Sequence, residues 1–367
     1  MSNSTDSLFK PFSLNELSLE NRIVMAPMTR SFSPDGIATE DVAGYYGRRA
    51  QGGTGLIITE GTTINDPVAT MDGRIPRIHG EQPLAGWEKS IKAVHAAGGK
   101  IMPQLWHVGM ARNQESAPSP ELPSVGPSGL VKPGKKISEP MTVAQIEGLI
   151  TGFANAAADA QRIGFDGIEI HGAHGYLVDQ FFWSGTNERT DEWGGSMANR
   201  SRFAVEIIKA IRAATGPNFP IVFRYSQWKQ QDYTARLAET PQLLEEFLAP
   251  LTDAGVDIFH CSQRRYWESE FGDEGLNLAG WTKKLTGKST ITVGSVGLNG
   301  DFFGAFAGKG SETRSIDDLI ERLDKGEFDL VGVGRALLQD PNWANKIREG
   351  QLDELSEYSG DALATLS

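Results

Sequence analysis

Three residues with proton chemistry stand close together in His171-x-x-His174-x-Tyr176. A neutral imidazole offers one N–H and a phenol one O–H. Such a set can hold a developing oxyanion between two donors and deliver a proton from a third. A phenol ionises near pH ~10 in water, so Tyr176 serves as a general acid only when its setting assists. Two other readings fit the same spacing. The histidines could ligate a metal, but no third ligand is suitably placed, and catalytic zinc takes three protein ligands. They could also be core histidines making structural hydrogen bonds.

Arg224 is a second candidate, because it ends an otherwise apolar run that begins at Ile221. A buried guanidinium needs an anion, supplied either by a structural carboxylate or by a ligand. A third candidate is the pair of segments Gly294-Ser295 and Gly332-Val333-Gly334-Arg335. Glycine lets backbone N–H groups approach a phosphate closely, and arginine adds a bidentate charge. Taken alone, Gly-x-Gly-Arg serves a tight turn equally well.

Position in the fold separates these readings. Eight β-rich runs alternate with helix-patterned stretches: Arg22–Ala26, Gly55–Glu60, Lys100–Leu105, Gly167–His171, Ile221–Arg224, Asp257–Cys261, Thr290–Gly294 and Asp329–Gly334. Several are apolar throughout, as parallel strands buried on both faces are. Between them, helical periodicity covers Asp41–Gln51, Trp87–Ala97, Val143–Arg162, Ser201–Ala214, Pro241–Ala254 and Ile316–Lys325. Thr240-Pro241 has the form of an N-cap with proline at the first helical position, and Ser315 of a cap for the last helix.

Eightfold strand–helix repetition predicts an α/β protein, a single (β/α)8 TIM barrel over residues 1–367. An open doubly wound sheet is the alternative, but no Gly-rich dinucleotide fingerprint opens the first helix. The Pro-, Ser- and Gly-rich stretch Ala111–Pro140 fits neither period and is expected to form an excursion or lid after strand three. In such a barrel, functional side chains follow the strands. The unusual residues do so: Pro27-Met28-Thr29, Glu60-Gly61, Gln104 with Trp106 and His107, the His171–Tyr176 cluster, Arg224, Gly294-Ser295 and Gly334-Arg335.

Composition narrows the function further. A net charge of −12 gives no overall attraction to nucleic acid or anionic lipid, and the basic run Lys132, Lys135, Lys136 is expected to be a solvated loop. The one cysteine, Cys261, lies in an apolar run. It excludes an intrachain disulfide and a cysteine-ligated iron–sulfur cluster, and is expected to be a buried inert thiol. Met1–Ser13 has no apolar signal core and no run has the length of a membrane span, so a cytoplasmic protein without membrane or nucleic-acid partners is expected. A monomer and a homo-oligomer fit equally.

The residues so far resemble the old yellow enzyme family over nearly the whole chain. The resemblance is carried by Asn21–Arg30, by Gln104-Leu105-Trp106, by His171–Tyr176 continuing through Asn187–Ser196, and by Val333-Gly334-Arg335. It implies noncovalent FMN at the strand C-termini, reduced by NADPH or NADH, and a small electrophilic alkene as substrate. By position, the backbone of Pro27, Met28 and Thr29 lines the flavin. The Thr29 hydroxyl bonds its carbonyl edge, Gly61 lies along the ring and Gln104 bonds the pyrimidine. Arg224 faces the anionic N1 edge, and Gly294, Ser295, Gly334 and Arg335 hold the phosphate. His171 and His174 grip the substrate's carbonyl or nitro oxygen, flavin N5 delivers hydride to the β-carbon, and Tyr176 protonates the α-carbon. Trp106 and Thr29 adjoin the substrate.

The second donor position in this family is His or Asn, and here it is His174. Relatives with an iron–sulfur domain need several cysteines. The segment Gln263–Phe271, with Arg264, Arg265, Tyr266 and Trp267, is expected to shape the pocket. Two other classes compete. A non-redox barrel lyase or a metal-dependent hydrolase would need a Schiff-base lysine or a metal-ligand set, and no expected strand end carries a suitable lysine. A flavin store without turnover would not need a proton donor such as Tyr176.

Overall fold

The computed structural model describes residues 4–272, 275–300, 304 and 309–367. Eight parallel strands close into a barrel: β1 (Ile23–Met25), β2 (Leu56–Thr63), β3 (Lys100–Trp106), β4 (Ile168–His174), β5 (Ile221–Lys229), β6 (Ile258–Ser262), β7 (Ser289–Val293) and β8 (Leu330–Val333). Each pairs with the next, and β8 closes on β1 through Gly332↔Val24. Helices cover the outside: α1 (Glu40–Gln51), α2 (Glu81–Ala96), α3 (Val143–Ile163), α4 (Leu177–Phe182), α5 (Met197–Thr215), α6 (Pro241–Ala254), α7 (Leu278–Thr286), α8 (Asp317–Asp324), α9 (Arg335–Gln339) and α10 (Trp343–Arg348). The (β/α)8 barrel expected from the alternation is the fold.

Local chemistry explains the helix ends. Thr240 caps α6 by accepting from the Leu243 N–H, with Pro241 at the first turn. A capping box between Thr142 and Gln145 opens α3. One expected cap is displaced: Ile316 is the N-cap of α8, and the Ser315 hydroxyl accepts from the Asp317 N–H instead.

The barrel interior follows the two-residue period of its strands. Val24, Leu56, Ile58, Met102, Val222, Ile258, Ile291 and Leu330 form one apolar cluster, with Leu17 and Leu19 of the hairpin Phe12–Leu14/Leu17–Leu19 packed into it. Intervening residues such as Met25, Ile57, Ile101, Phe223 and Phe259 join the separate core shared with the helices. The next inward positions on β3, β5 and β6 are Gln104, Arg224 and His260. A polar layer therefore lies directly on the apolar one.

The excursion after β3 is ordered by specific clasps. It carries a hairpin, Leu130–Lys132 with Lys135–Lys136, whose three lysines are exposed as expected. Buried Arg112 donates to the carbonyls of Leu122 (2.9 Å) and Ser119 (2.6 Å). Arg189 reaches across to the Pro127 carbonyl at 3.0 Å, and the Glu188 N–H donates to Ser128 Oγ at 2.8 Å. Asn187 ties this loop to the carbonyls of Phe181 and Trp193 at 2.8 and 2.9 Å. The long Asn187–Ser196 motif thus fastens the excursion rather than contributing to the cavity. Cys261 is fully buried, and burial pushes its thiol up to about 12, which leaves it inert as expected.

Candidate active site at the barrel mouth

The cluster beyond β4 depends on how that strand ends. The β4–β5 register slips between Gly172 and His174, and His174 has φ 66°, which turns the chain away from the ladder. Gly175 follows at φ 78°, and a Cβ there would lie 1.9 Å from Gln231 Oε1. Its N–H donates to Asp179 Oδ2 at 2.7 Å, while Asp179 Oδ1 pairs with Lys229 at 2.5 Å. This ion pair is fully buried under the turn that carries Tyr176.

Lys229 corrects one expectation. β5 runs beyond Arg224 to Lys229, so a strand end does carry a lysine. Paired with Asp179 and enclosed, it has no open face for a carbonyl substrate.

His171, His174, Tyr176 and Trp106 form one aromatic group. The histidine rings stand 5.2 Å apart at 88°. Tyr176 meets His171 edge-on at 5.0 Å and Trp106 at 4.8 Å, and Trp106 stacks on His171 at 5.9 Å. Trp106 fits because of Gly61: a Cβ at Gly61 would lie 2.2 Å from Trp106 Cε3. Burial, followed by the nearby Arg224 charge, holds both histidines well below the ordinary imidazole value, so both are neutral at pH ~7.

Tautomers follow from the partners. His171 Nδ1 accepts from the Ala173 N–H at 3.3 Å, which leaves the His171 proton on Nε2. His174 Nε2 lies 2.7 Å from Ser262 Oγ, and that oxygen accepts from Arg224 Nη2 at 3.5 Å. When the Ser262 hydrogen points to His174 Nε2, the His174 proton sits on Nδ1. Trp228 stacks on the His174 ring at 4.5 Å. Burial raises the Tyr176 phenol, partly offset by Gln230, whose Nε2 donates to its oxygen at 3.1 Å. The phenol therefore keeps its proton at neutral pH.

A cavity opens beside this group. Pro27, Met28, His174, Arg224, Gly294, Ser295, Gly334 and Arg335 all line it, so most of the expected cofactor residues meet there. At one end, Arg335 Nη2 donates to Ser295 Oγ at 3.3 Å. At the other, Arg224 is 6% exposed and, among the described residues, its Nε and Nη1 have no hydrogen-bond partner. Unmet guanidinium donors at one end and an arginine–serine–glycine cradle at the other fit a long ligand with an electron-rich ring edge and a phosphate, as FMN has. Thr29 is exposed at the mouth, while Gln104 is buried deeper and bonds Glu169.

The Gln263–Phe271 segment divides. Gln263 and Arg264 line the cavity, with Arg264 lying 3.6 Å over the Tyr233 ring. Tyr266 is fully buried, and Phe271 packs on Trp281. Near the C-terminus, Tyr358 is buried with Arg335 5.6 Å over its ring. Sequence reasoning gave no role to Glu169, His260, Ser262, Trp228 or Gln230. For Glu169 and His260 a signal was present: a polar residue at every second position of an apolar strand.

Glu60, which ends the apolar run of β2, holds the loop that carries Thr29. Its Oε2 accepts from the N–H groups of Arg30 (2.8 Å) and Ser31 (3.1 Å). Burial outweighs these donors and lifts the Glu60 carboxyl to about 7. A carboxyl raised in the fold favours its protonated form there. The native state therefore loses stability as pH rises from the ordinary value of 4.5 to about 7, and the loss is complete above that. Glu60→Gln is expected to flatten this slope, with a difference of up to about 3 kcal/mol, measured by denaturant unfolding at about pH 5 and pH 8. An unchanged slope would contradict the assignment.

A closed parallel barrel with a neutral histidine pair, a protonated phenol and an arginine-ended cavity at its mouth has the donors that a flavin-dependent reduction needs. Residues 7–354 match the NADH:flavin oxidoreductase / NADH oxidase family, and the chain belongs to it. It is 34% identical over 364 residues to an NADH oxidase of Thermoanaerobacter brockii, covering 95% of this chain but 52% of that longer protein. It is 31% identical to 12-oxophytodienoate reductase 7 of Oryza sativa subsp. japonica, covering 93% and 87% of the two chains. Among solved structures, morphinone reductase in complex with tetrahydroNAD superposes with a TM-score of 0.80 at 30% identity over 97% of this chain and 94% of that one. The old yellow enzyme homologue from Zymomonas mobilis gives 0.81 at 25% identity, with 97% and 96% covered.

Proposed function

We propose that residues 1–367 act as a single FMN-binding barrel domain that reduces activated C=C bonds with electrons from NADPH or NADH. The reading rests above all on Arg224, a buried cation with unmet donors facing the same cavity as the His174 ring. When bound, FMN carries the reducing equivalents of the nicotinamide to the alkene.

The chain's own residues do the rest. Pro27, Met28, Thr29 and Gly61 bed the ring, Gln104 bonds its pyrimidine, and Arg224 neutralises the charge of the reduced form. Gly294, Ser295, Gly334 and Arg335 hold the phosphate. His171 Nε2–H and His174 Nδ1–H donate to the substrate's carbonyl or nitro oxygen and draw electron density away from its β-carbon. Neutral donors suit this task, since they stabilise developing charge without giving up their protons. Tyr176 delivers a proton to the α-carbon, with Trp106 and Thr29 bounding the substrate. Enones, nitroalkenes and nitrate esters all present a suitable oxygen to this pair.

Among the described residues no helix is long and apolar enough to cross a membrane, and a cytoplasmic location is proposed. Reduction of 2-cyclohexenone by the holoenzyme in deuterated water tests the chemistry. The product is expected to carry solvent deuterium at the α-carbon. Turnover without deuterium there would contradict proton delivery from an exchangeable phenol.

A further inference from the structure

Glu169 is fully buried in the barrel, one layer above the apolar floor, and the reaction just described makes no use of it. Its Oε1 accepts from Gln104 Nε2 at 2.7 Å and its Oε2 from His260 Nδ1 at 2.6 Å. Gln104 pairs in register with Glu169 on the adjacent strand, and His260 pairs with Arg224. A carboxylate with two neutral partners is an expensive way to fill a barrel, since apolar side chains of the same volume pack there at lower cost. What the carboxylate supplies is direction. It only accepts, so both neighbours must turn an N–H toward it. For Gln104 this settles the amide: Nε2 faces Glu169, and the carbonyl Oε1 faces away.

We propose that Glu169 is a positioning residue for the cofactor, holding Gln104 with its carbonyl oxygen presented to the single N–H of the flavin pyrimidine. The inference rests on FMN being the ligand of this cavity. A flavin pyrimidine has two carbonyls flanking one N–H. A freely rotating glutamine could offer it either a donor or an acceptor, and only the acceptor satisfies the N–H. Glu169 removes the choice. Its negative charge also lies within the field of Arg224, so it tempers the cation that faces the reduced ring.

Glu169→Gln separates these roles from packing. A glutamine at 169 can accept from His260 with its oxygen and donate to Gln104 with its nitrogen. Both internal hydrogen bonds survive and the apoprotein is expected to melt like the wild type. Gln104 then flips, so that its NH2 meets the flavin N–H, donor against donor; the reverse arrangement would move the His260 proton to Nε2, which is buried without a partner among the described residues. FMN affinity is expected to fall by about 10- to 100-fold, the cost of one buried unsatisfied donor. The midpoint potential of bound FMN is expected to rise, because one negative charge near the anionic reduced ring is gone.

The test is FMN titration by fluorescence quenching on the wild type, Glu169→Gln, Gln104→Leu and the double variant, with the potential of each holoprotein measured against redox dyes. If Glu169 acts through Gln104, the double variant binds FMN no more weakly than Gln104→Leu alone. Additive losses, or an unchanged affinity and potential in Glu169→Gln, would overturn the proposal. Should Glu169→Gln fail to fold, Glu169→Met takes its place in the same cycle. A loss of FMN affinity that vanishes in the Gln104→Leu background supports the proposal, and no loss, or one that persists in that background, overturns it. A wild type that takes up no FMN would instead remove the reading on which the inference stands.

Discussion

Tyr176→Phe slows reduction of 2-cyclohexenone by about 10²–10⁴-fold, the usual value of a positioned general acid, and leaves reduction of the bound flavin by NADPH near the wild-type rate. The substitution removes one oxygen from a ring that is 8% exposed and held edge-on by Trp106 and His171. The ring packing survives, and the hydroxyl's one side-chain partner, Gln230, is exposed and can turn to water. The fold is therefore expected to be intact, and the loss confined to the alkene half-reaction. Stopped-flow measurement of the two half-reactions separates them. An equal loss in both, or none in the alkene step, would take Tyr176 out of the mechanism.

Arg224→Met has the second large effect, and it falls on the cofactor. The guanidinium is buried and, among the described residues, two of its nitrogens, Nε and Nη1, have no hydrogen-bond partner. Those groups are costly in the apoprotein and useful only when an acceptor meets them. The variant is expected to bind FMN about 10²-fold more weakly or worse, because charge-assisted hydrogen bonds are the strong ones. The apoprotein should melt no lower than the wild type. The potential of any FMN that does bind should fall, because the positive charge that favours the anionic reduced ring is gone. A variant that keeps its FMN affinity would show that Arg224 serves the barrel rather than the ligand.

Much of this was legible in the sequence, for physical reasons. All eight strands were readable because parallel barrel strands are short apolar runs closed by Gly, Pro or Asp. Strand ends then pointed to Arg224, Gly294, Ser295, Gly334 and Arg335, which do line one cavity. What stayed hidden depends on closure of the barrel. β5 continues to Lys229 although Ser226, Gln227 and Lys229 are polar, because the strand is buried on both sides and its polar groups find partners across the turn. Glu169 lies between Ile168 and Ile170 and reads as an interruption until β3 and β6 bring Gln104 and His260 to its two oxygens. Ser262 and Trp228 meet His174 only through the mouth of the finished barrel, from β6 and β5.

The visible absorption spectrum of the purified protein, taken anaerobically before and after NADPH and again after 2-cyclohexenone, tests the central claim in one cuvette. Yellow flavin absorption that bleaches with NADPH and returns with the enone is the predicted result, joining cofactor, reductant and alkene in one cycle. A protein that stays colourless after incubation with FMN, or a flavin that bleaches and is not reoxidised by the enone, would contradict it.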